Sequence, residues 1–554
     1  MKINSLFIIV FLFLGCKNKN HNYLNINTFT DIEKIMPLSE LELKDWHLKD
    51  VKIDTIPGIS LQRAYDSLLT NKKEKEVIVA IIDTEIDINH KELQNNIWIN
   101  NDEIPNNKID DDQNGYVDDA NGWNFIGNLK GQNIIYSSIE SIRILQFYND
   151  DFKNKQKEDI PFEKQKEFDL YTKAKNDYNR KLNMAKSDLE YGDFLFYGYP
   201  KARKAMRDLF PKENYTTKEL DSVYKKYKKI DKQLAKHAYF ISDFIKYDLT
   251  EEWIDNYKKN AENKINTIYN LEYFDRESID KKPSDITFTK YGNPYVNKNI
   301  DKLYHGTLIS GLIAAKRENN KGIKGVSDFI KIMPLAISSN GTENDKDVAL
   351  AIKYAVDNGA KVINMSFGKE LSLHKKWVFD AIKYAEEKDV LIISSAGNSG
   401  LNLNSNNYYP NDSDDKKTEV SNNFMLVGSS SYKLNKKIFS YFSNYGNIDV
   451  DLFAPGEKIY TTLPNNKYKF DSGTSLASAI TSGVAGLIYS YYPNLTASQV
   501  KHILMDSGLE YTFNVSTPTK KDKNKTTPFN QLSKSGKVLN AYNALIMADS
   551  ISRN

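Results

Sequence analysis

The run VIVAIID at Val77–Asp83 carries no polar side chain until its last position. Successive side chains of a strand point to opposite faces, so such a run is apolar on both, and both faces must be covered. A parallel sheet enclosed between helices meets that requirement. Three further runs read as strands: KVINMSFG (Lys361–Gly368), VLIISSAGN (Val390–Asn398) and FMLVGSSS (Phe424–Ser431). Between them DVALAIKYAVDNG (Asp347–Gly359) and HKKWVFDAIKYAEEKD (His374–Asp389) read as helices, and ISLQRAYDSLL (Ile59–Leu69) as a short amphipathic helix ahead of the first strand. Strands alternating with helices predict an α/β fold: a doubly wound, mostly parallel sheet, with ligand sites at the carboxyl ends of its strands.

From about 127 to 289 the character changes to a stretch rich in Lys, Glu, Tyr and Asn and poor in Gly. Phe168, Tyr171, Ala174, Tyr178, Leu182, Ala185 and Leu189 recur at three- and four-residue steps, one face of a helix. Thr216 and Glu219 have the spacing of a capping box. Leu220, Val223, Tyr227, Ile230, Leu234, Ile241 and Phe244 continue a second stripe. The expectation is a mainly helical insertion, a helical hairpin packed against the core; the alternative is a partly disordered charged loop. Its Lys and Tyr runs read as solvated helix faces.

The 554 residues suffice for two to four domains. Net charge is +3, from 76 basic and 73 acidic side chains, which leaves no footprint for nucleic-acid binding. The single cysteine, Cys16, excludes an internal disulfide. It follows Met1-Lys2, an apolar run from Leu6 to Leu14 that is too short to span a bilayer, and Gly15. This start resembles a bacterial lipobox, with Phe13 where Leu is usual. The resemblance implies cleavage before Cys16 and acylation of its sulfur, hence an exported protein anchored to a membrane by lipid, on the periplasmic or cell-surface side. A plain signal peptide with an incidental Cys is the alternative.

Three residues at the ends of these elements carry the candidate chemistry. Asp83 closes the first strand. His305 alone among seven His opens an apolar helix, HGTLISGLIAA. Ser475 lies in GTSLASA (Gly473–Ala479), at the start of another. A Ser there is commonly a helix cap, but the same position points a hydroxyl from a helix N-terminus, whose amides can stabilise an oxyanion. The chain order Asp, His, Ser is the subtilisin order and excludes that of the α/β-hydrolases, in which Ser comes first.

DTEID (Asp83–Asp87), HGT (His305–Thr307) and GTSLAS (Gly473–Ser478) resemble the three signature blocks of the subtilase family. SSAGN (Ser394–Asn398) resembles its oxyanion-asparagine block and NMSFG (Asn364–Gly368) the strand lining its cleft. SNYG (Ser443–Gly446) and FAPG (Phe453–Gly456) resemble later structural blocks. The resemblance covers about Ile59–Trp123 and Tyr291–Leu545. It implies a serine endopeptidase acting on proteins or peptides, with Ser475 as nucleophile, His305 as base and then acid, Asp83 orienting His305, and Asn398 donating to the oxyanion. It also implies that Ser366, Phe367, Gly368, Ala396 and Gly397 edge the pocket for the residue before the scissile bond, with substrate backbone added to these strand edges. The corresponding layout is a signal peptide at 1–16, a tether at 17–57, a catalytic domain in two parts at 58–126 and 290–550, and the helical insertion at 127–289 at a rim of the catalytic face. The stretch between Cys16 and the first core helix is short for a full inhibitory propeptide.

The chain departs from the family at Glu85, where Gly is usual, at Leu308 (His) and at Ala479 (Pro). Glu85 is expected to alter its loop or the titration of His305. The alternative to catalysis is a silent subtilase-fold lipoprotein that binds peptides or a partner. The segment Asp110–Asp118 resembles a calcium loop, which would offer oxygens from Asp110, Asp112, Asn114, the Tyr116 carbonyl and Asp118 to a structural Ca2+. The alternative is an acidic Asn-Gly turn, and the chemistry itself needs no cofactor.

Overall fold

The computed structural model of the chain describes residue 34, residues 36–70 and residues 72–553. Its strands are β1 (Val77–Asp83), β2 (Trp123–Asn124), β3 (Ile330–Ala336), β4 (Val362–Met365), β5 (Leu391–Ser395), β6 (Phe424–Ser430), β7 (Leu452–Pro455), β8 (Ile459–Leu463), β9 (Lys467–Asp471), β10 (Leu509–Glu510), β11 (Asn514–Ser516), β12 (Thr526–Pro528) and β13 (Lys537–Val538). Nine of them form one sheet in the order β10-β13-β7-β6-β5-β4-β1-β3-β2. Every pairing in it is parallel except β10 with β13. Strand β1 lies between β3 and β4, paired from Val77↔Ile330 to Asp83↔Ala336 and from Val79↔Val362 to Ile82↔Met365. The chain thus leaves β1 to one side and returns to the other, a switch point that opens a crevice at the carboxyl end of β1.

The helices in chain order are α1 (Glu40–Asp45), α2 (Leu61–Ser67), α3 (Glu140–Phe147), α4 (Asn149–Phe152), α5 (Gln165–Leu209), α6 (Thr217–Tyr227), α7 (Lys232–Lys246), α8 (Glu251–Asn266), α9 (His305–Ala314), α10 (Asp345–Asp357), α11 (Lys375–Glu387), α12 (Thr474–Tyr491), α13 (Ala497–Asp506) and α14 (Ala541–Ser552). The two-sided burial expected of β1 is literal. Val79 and Ile81 join Leu312, Ile480, Val484 and Leu487 in one core, on the α9 and α12 side. Ala80 and Ile82 join Val348, Ile352, Ala381 and Ile382 in the other, on the α10 and α11 side. Each aliphatic side chain buried this way contributes about 1.5–3 kcal/mol. Helix α12 is buried from Leu476 to Ser490. Its Gly486 lets it lie close to the sheet: a carbon there would stand 2.8 Å from Ile330 Cδ1.

The stretch 127–289 folds as helices. Helix α5 runs for 45 residues and packs against α3, α7 and α8, with Phe168, Tyr171, Ala174 and Ala185 of the expected stripe buried. The capping box forms: Glu219 N donates to Thr216 Oγ1 (3.3 Å) and Thr216 N to Glu219 Oε2 (2.7 Å). The second stripe is two helices rather than one. The break falls between Tyr227 and Lys232, where Ile230 is exposed and Asp231 caps α7 through the amides of Gln233 and Leu234. The expected tether is also partly folded: Trp46, His47 and Leu48 are buried, and Trp46 Nε1 donates to Lys458 O (3.1 Å).

Buried ion pairs join the helical stretch to the sheet domain. Arg276 forks onto Asp347, and Lys346, wholly buried, reaches Asp280 at 2.8 Å. Lys369, directly after Gly368, binds Glu140 (3.0 Å) and Asp345 (2.8 Å). The inserted helices therefore abut one end of the strand expected to line the cleft. Among the described residues no helix is long and apolar enough to cross a membrane.

Candidate active site

Asp83 ends β1 at the switch point, buried, and its carboxylate accepts from the amide of Thr84 (2.7 Å). His305 is the first residue of α9, and its Nδ1 lies 2.8 and 2.9 Å from the two Asp83 oxygens. A proton on Nδ1 satisfies that carboxylate and leaves the Nε2 lone pair facing outward. Gly306 is required by the approach of this helix: its amide donates to Thr84 Oγ1 (2.8 Å), and an added carbon would stand 2.7 Å from the Thr84 carbonyl oxygen. The hairpin β8–β9 braces the helix from the other side. Thr461 and Thr462 hydroxyls each donate at 2.7 Å, to the carbonyls of Leu308 and Thr307.

Desolvation disfavours the charged imidazolium of His305, but the Asp83 carboxylate, by its charge and hydrogen bond, outweighs this and holds the pKa above its ordinary value. Asp471 and Glu343 add smaller contributions of the same sign. Glu85 is engaged by the neighbouring loop. It is buried and accepts from Asn133 Nδ2 (2.8 Å), Asn299 Nδ2 (3.0 Å), Asn124 Nδ2 (3.3 Å) and the Asn299 amide. The departure from Gly thus binds the loop ahead of His305 to the region of β2.

Ser475 is the second residue of α12. Its amide belongs to the first turn, whose N–H groups have no acceptor within the helix. Its Oγ donates to the Ser366 carbonyl oxygen at 3.0 Å, so in this conformation the hydroxyl is turned to the strand edge rather than to His305. Asn398 follows β5, and its orientation is fixed. Oδ1 accepts from Thr474 N (2.9 Å) and Thr474 Oγ1 (3.0 Å), which turns the amide nitrogen the other way. A carbon on Gly473 would stand 3.4 Å from Asn398 Nδ2 and 3.7 Å from Ser475 N, so the two donors flank one point. Asn444 shapes the loop that carries Asn398, donating to Ala396 O (2.7 Å) and accepting from the amides of Ser399 (3.2 Å) and Leu401 (2.8 Å).

Ser366, Phe367 and Gly368 continue from β4 and lie beside α12. Ser366 Oγ donates to Ser475 O at 2.9 Å, accepts from Asn364 Nδ2 at 2.9 Å and lies 3.0 Å from Ser478 Oγ. Ser482 Oγ donates to Asn364 Oδ1 (2.9 Å). The roles of Asn364, Thr474, Ser478 and Ser482 escaped sequence reasoning, because nothing in their spacing separates a polar contact beneath a nucleophile from an ordinary buried hydroxyl.

The acidic segment gathers a different set from the one expected. Carboxylate oxygens of Glu103, Asp112 and Asp119 lie within 4.8 Å of one another and could hold a metal ion. Of the expected carboxylates only that of Asp112 belongs to this set. Asp110 accepts from the amides of Asn114 (3.0 Å) and Gly115 (2.9 Å), and Asp118 from those of Asn107 (2.9 Å) and Lys108 (3.2 Å). Asn114 Oδ1 accepts from the Tyr116 amide (2.8 Å), and the Tyr116 ring packs edge-on against Trp123 and Tyr354. Desolvation pushes the Glu103 and Asp119 carboxyls upward, with neighbouring carboxylates adding to it. Three carboxylates brought this close offer the oxygen donors that a hard divalent cation takes. Cys16 lies outside the described residues.

The family model of the subtilase family matches residues 74–531. The chain belongs to the subtilase family. Among curated relatives it is 34% identical over 229 residues to the cell wall-associated protease of Bacillus subtilis (strain 168), which covers 41% of this chain and 24% of that one. It is 36% identical to thermitase of Thermoactinomyces vulgaris, over 34% of this chain and 61% of that one. It is 32% identical to subtilisin DY of Bacillus licheniformis, over 37% of this chain and 70% of that one. The chain thus spans about a quarter of the length of the first of these relatives.

Proposed function

We propose that this subtilase is a serine endopeptidase that cleaves proteins outside the cytoplasm. What supports the reading is the His305–Asp83 pair at the sheet's switch point, on a helix that packs against α12, whose N-terminus carries Ser475 with the Asn398 amide nitrogen close by. In the reaction Ser475 Oγ turns from the Ser366 carbonyl, gives its proton to His305 Nε2 and attacks the scissile carbonyl. Asp83 holds the imidazole by Nδ1 and stabilises the imidazolium. The oxyanion draws hydrogen bonds from Ser475 N and Asn398 Nδ2, and His305 then protonates the leaving amine. Water repeats the sequence on the acyl-enzyme. Substrate backbone pairs with the edges at 366–368 and 396–397.

Glu103, Asp112 and Asp119 would hold a calcium ion that neutralises their mutual repulsion and stiffens the loop behind β2; the chemistry does not pass through it. The short apolar start and Cys16 support export and a lipid anchor, which mass spectrometry of the mature N-terminus, with Cys16→Ser as control, would test. For the activity itself, the purified protein should degrade an unfolded protein substrate, and Ser475→Ala should lower kcat on the order of 10^6-fold. A folded protein that cleaves nothing would instead be a peptide-binding lipoprotein of the same fold.

A further inference from the structure

The surroundings of Ser475 determine where the side chain next to the scissile carbonyl must go. Ser475 Oγ stands 3.0 Å from the Ser366 carbonyl oxygen. Asn398, on the other side, directly follows Ala396 and Gly397. A carbonyl carbon within reach of Ser475 Oγ, its oxygen between Ser475 N and Asn398 Nδ2, turns its side chain into the slot between these two stretches of backbone. That slot is filled from below by Tyr408. A carbon added at Gly368 would stand 2.3 Å from Tyr408 Cε1 and 2.8 Å from its hydroxyl oxygen. A carbon added at Gly397 would stand 2.5 Å from Cζ and 2.7 Å from the same oxygen. The tip of one ring touches both walls at once.

The ring is also held there. Lys369 and Tyr409 exchange backbone hydrogen bonds, both 2.8 Å, which fastens the Tyr408 segment to the cleft strand. Asn411 Nδ2 donates to Tyr408 O (2.9 Å), and Tyr408 is buried in the core on the α10 and α11 side. Interiors are close-packed, so a wedged ring does not yield to a second ring at small cost.

We propose that Tyr408 closes the primary specificity pocket and restricts cleavage to bonds that follow a small residue, Gly, Ala or Ser. This rests on the endopeptidase reading. In matched peptides differing only in the residue before the cut, the wild-type enzyme should favour Ala over Phe by about tenfold or more in kcat/KM. Tyr408→Ala should raise kcat/KM for the Phe peptide by about tenfold or more while changing the Ala peptide little. Tyr408→Phe, which keeps the ring, should retain the preference for Ala, and the wild-type ratio decides the matter even if the Ala variant does not fold. Fluorophosphonate labelling of the same samples separates the two ideas. Labelled wild-type enzyme that cuts after Phe as readily as after Ala, or a labelled Ala variant with the wild-type ratio, overturns the role of Tyr408 alone. Folded protein that takes no label and cuts neither peptide overturns the peptidase reading beneath it.

Discussion

A histidine acting as a base must be neutral when the substrate arrives. The Asp83 carboxylate raises the pKa of His305, so the neutral form, and activity with it, should be lost as pH falls through a value above the ordinary histidine range. The acid limb of kcat/KM should therefore lie above about 6.5. Asp83→Asn removes the main raising influence, and its residual activity should show an acid limb at lower pH; a limb that stays in place would contradict the assignment of Asp83. Asn398→Ala should cost about 10^2–10^3 in kcat with little effect on KM, read from initial rates, because the donor acts on charge present only in the transition state. At this scale the sequence was legible where a residue type and an element end coincide, as at Asp83 and His305, which the fold brings into hydrogen-bonding contact. It was mute about Tyr408 and Thr474, whose importance lies in what they touch: glycine walls in one case, the Asn398 oxygen in the other.

Among the elements, the doubly covered strands announced themselves because apolar runs without alternation have no other home. Strand β3 did not, since Lys331 and Pro334 interrupt it. Proline is tolerated there because its outer neighbour β2 has only two residues and pairs from Leu335 onward. The hairpin β8–β9 was hidden as well; its turn depends on Asn465 and Asn466 in the left-handed region, at φ of 64° and 59°. The acidic loop misled in its details. The spacing matched a template of ligands at alternate positions, whereas folding brings Glu103 in from upstream and turns Asp110 and Asp118 to backbone amides. Calcium at 100 times its dissociation constant should stabilise the protein by about 2.7 kcal/mol, seen as a rise in Tm. Asp112→Asn with Asp119→Asn should abolish that response; an unchanged rise would mean that the ion binds elsewhere.

For the whole molecule, the question is why a long helical insertion does not detach from the sheet domain. Apolar packing, such as Leu371 and Leu373 against the cluster of Phe168 and Tyr171, joins the two, and detachment would also strand buried charges. Arg276 meets Asp347, and Lys346 meets Asp280, across the junction, all four buried, and Tyr291 donates to Asp347 at 2.6 Å. Arg276→Ala strands a buried carboxylate and should cost about 3–5 kcal/mol in chemical denaturation. A loss below about 1 kcal/mol would show that the junction does not depend on the pair. The same junction sets Glu140 on Lys369 beside the cleft strand, so loosening it should be felt at the catalytic face. The central claim is that Asp83, His305 and Ser475 act as one unit. Its most direct measurement is intact-mass analysis after treatment with a fluorophosphonate, followed by peptide mapping. The account predicts a single adduct, located on Ser475, absent in Ser475→Ala and much slower to form in His305→Ala. Folded protein that remains unmodified, or an adduct on another serine, would contradict it.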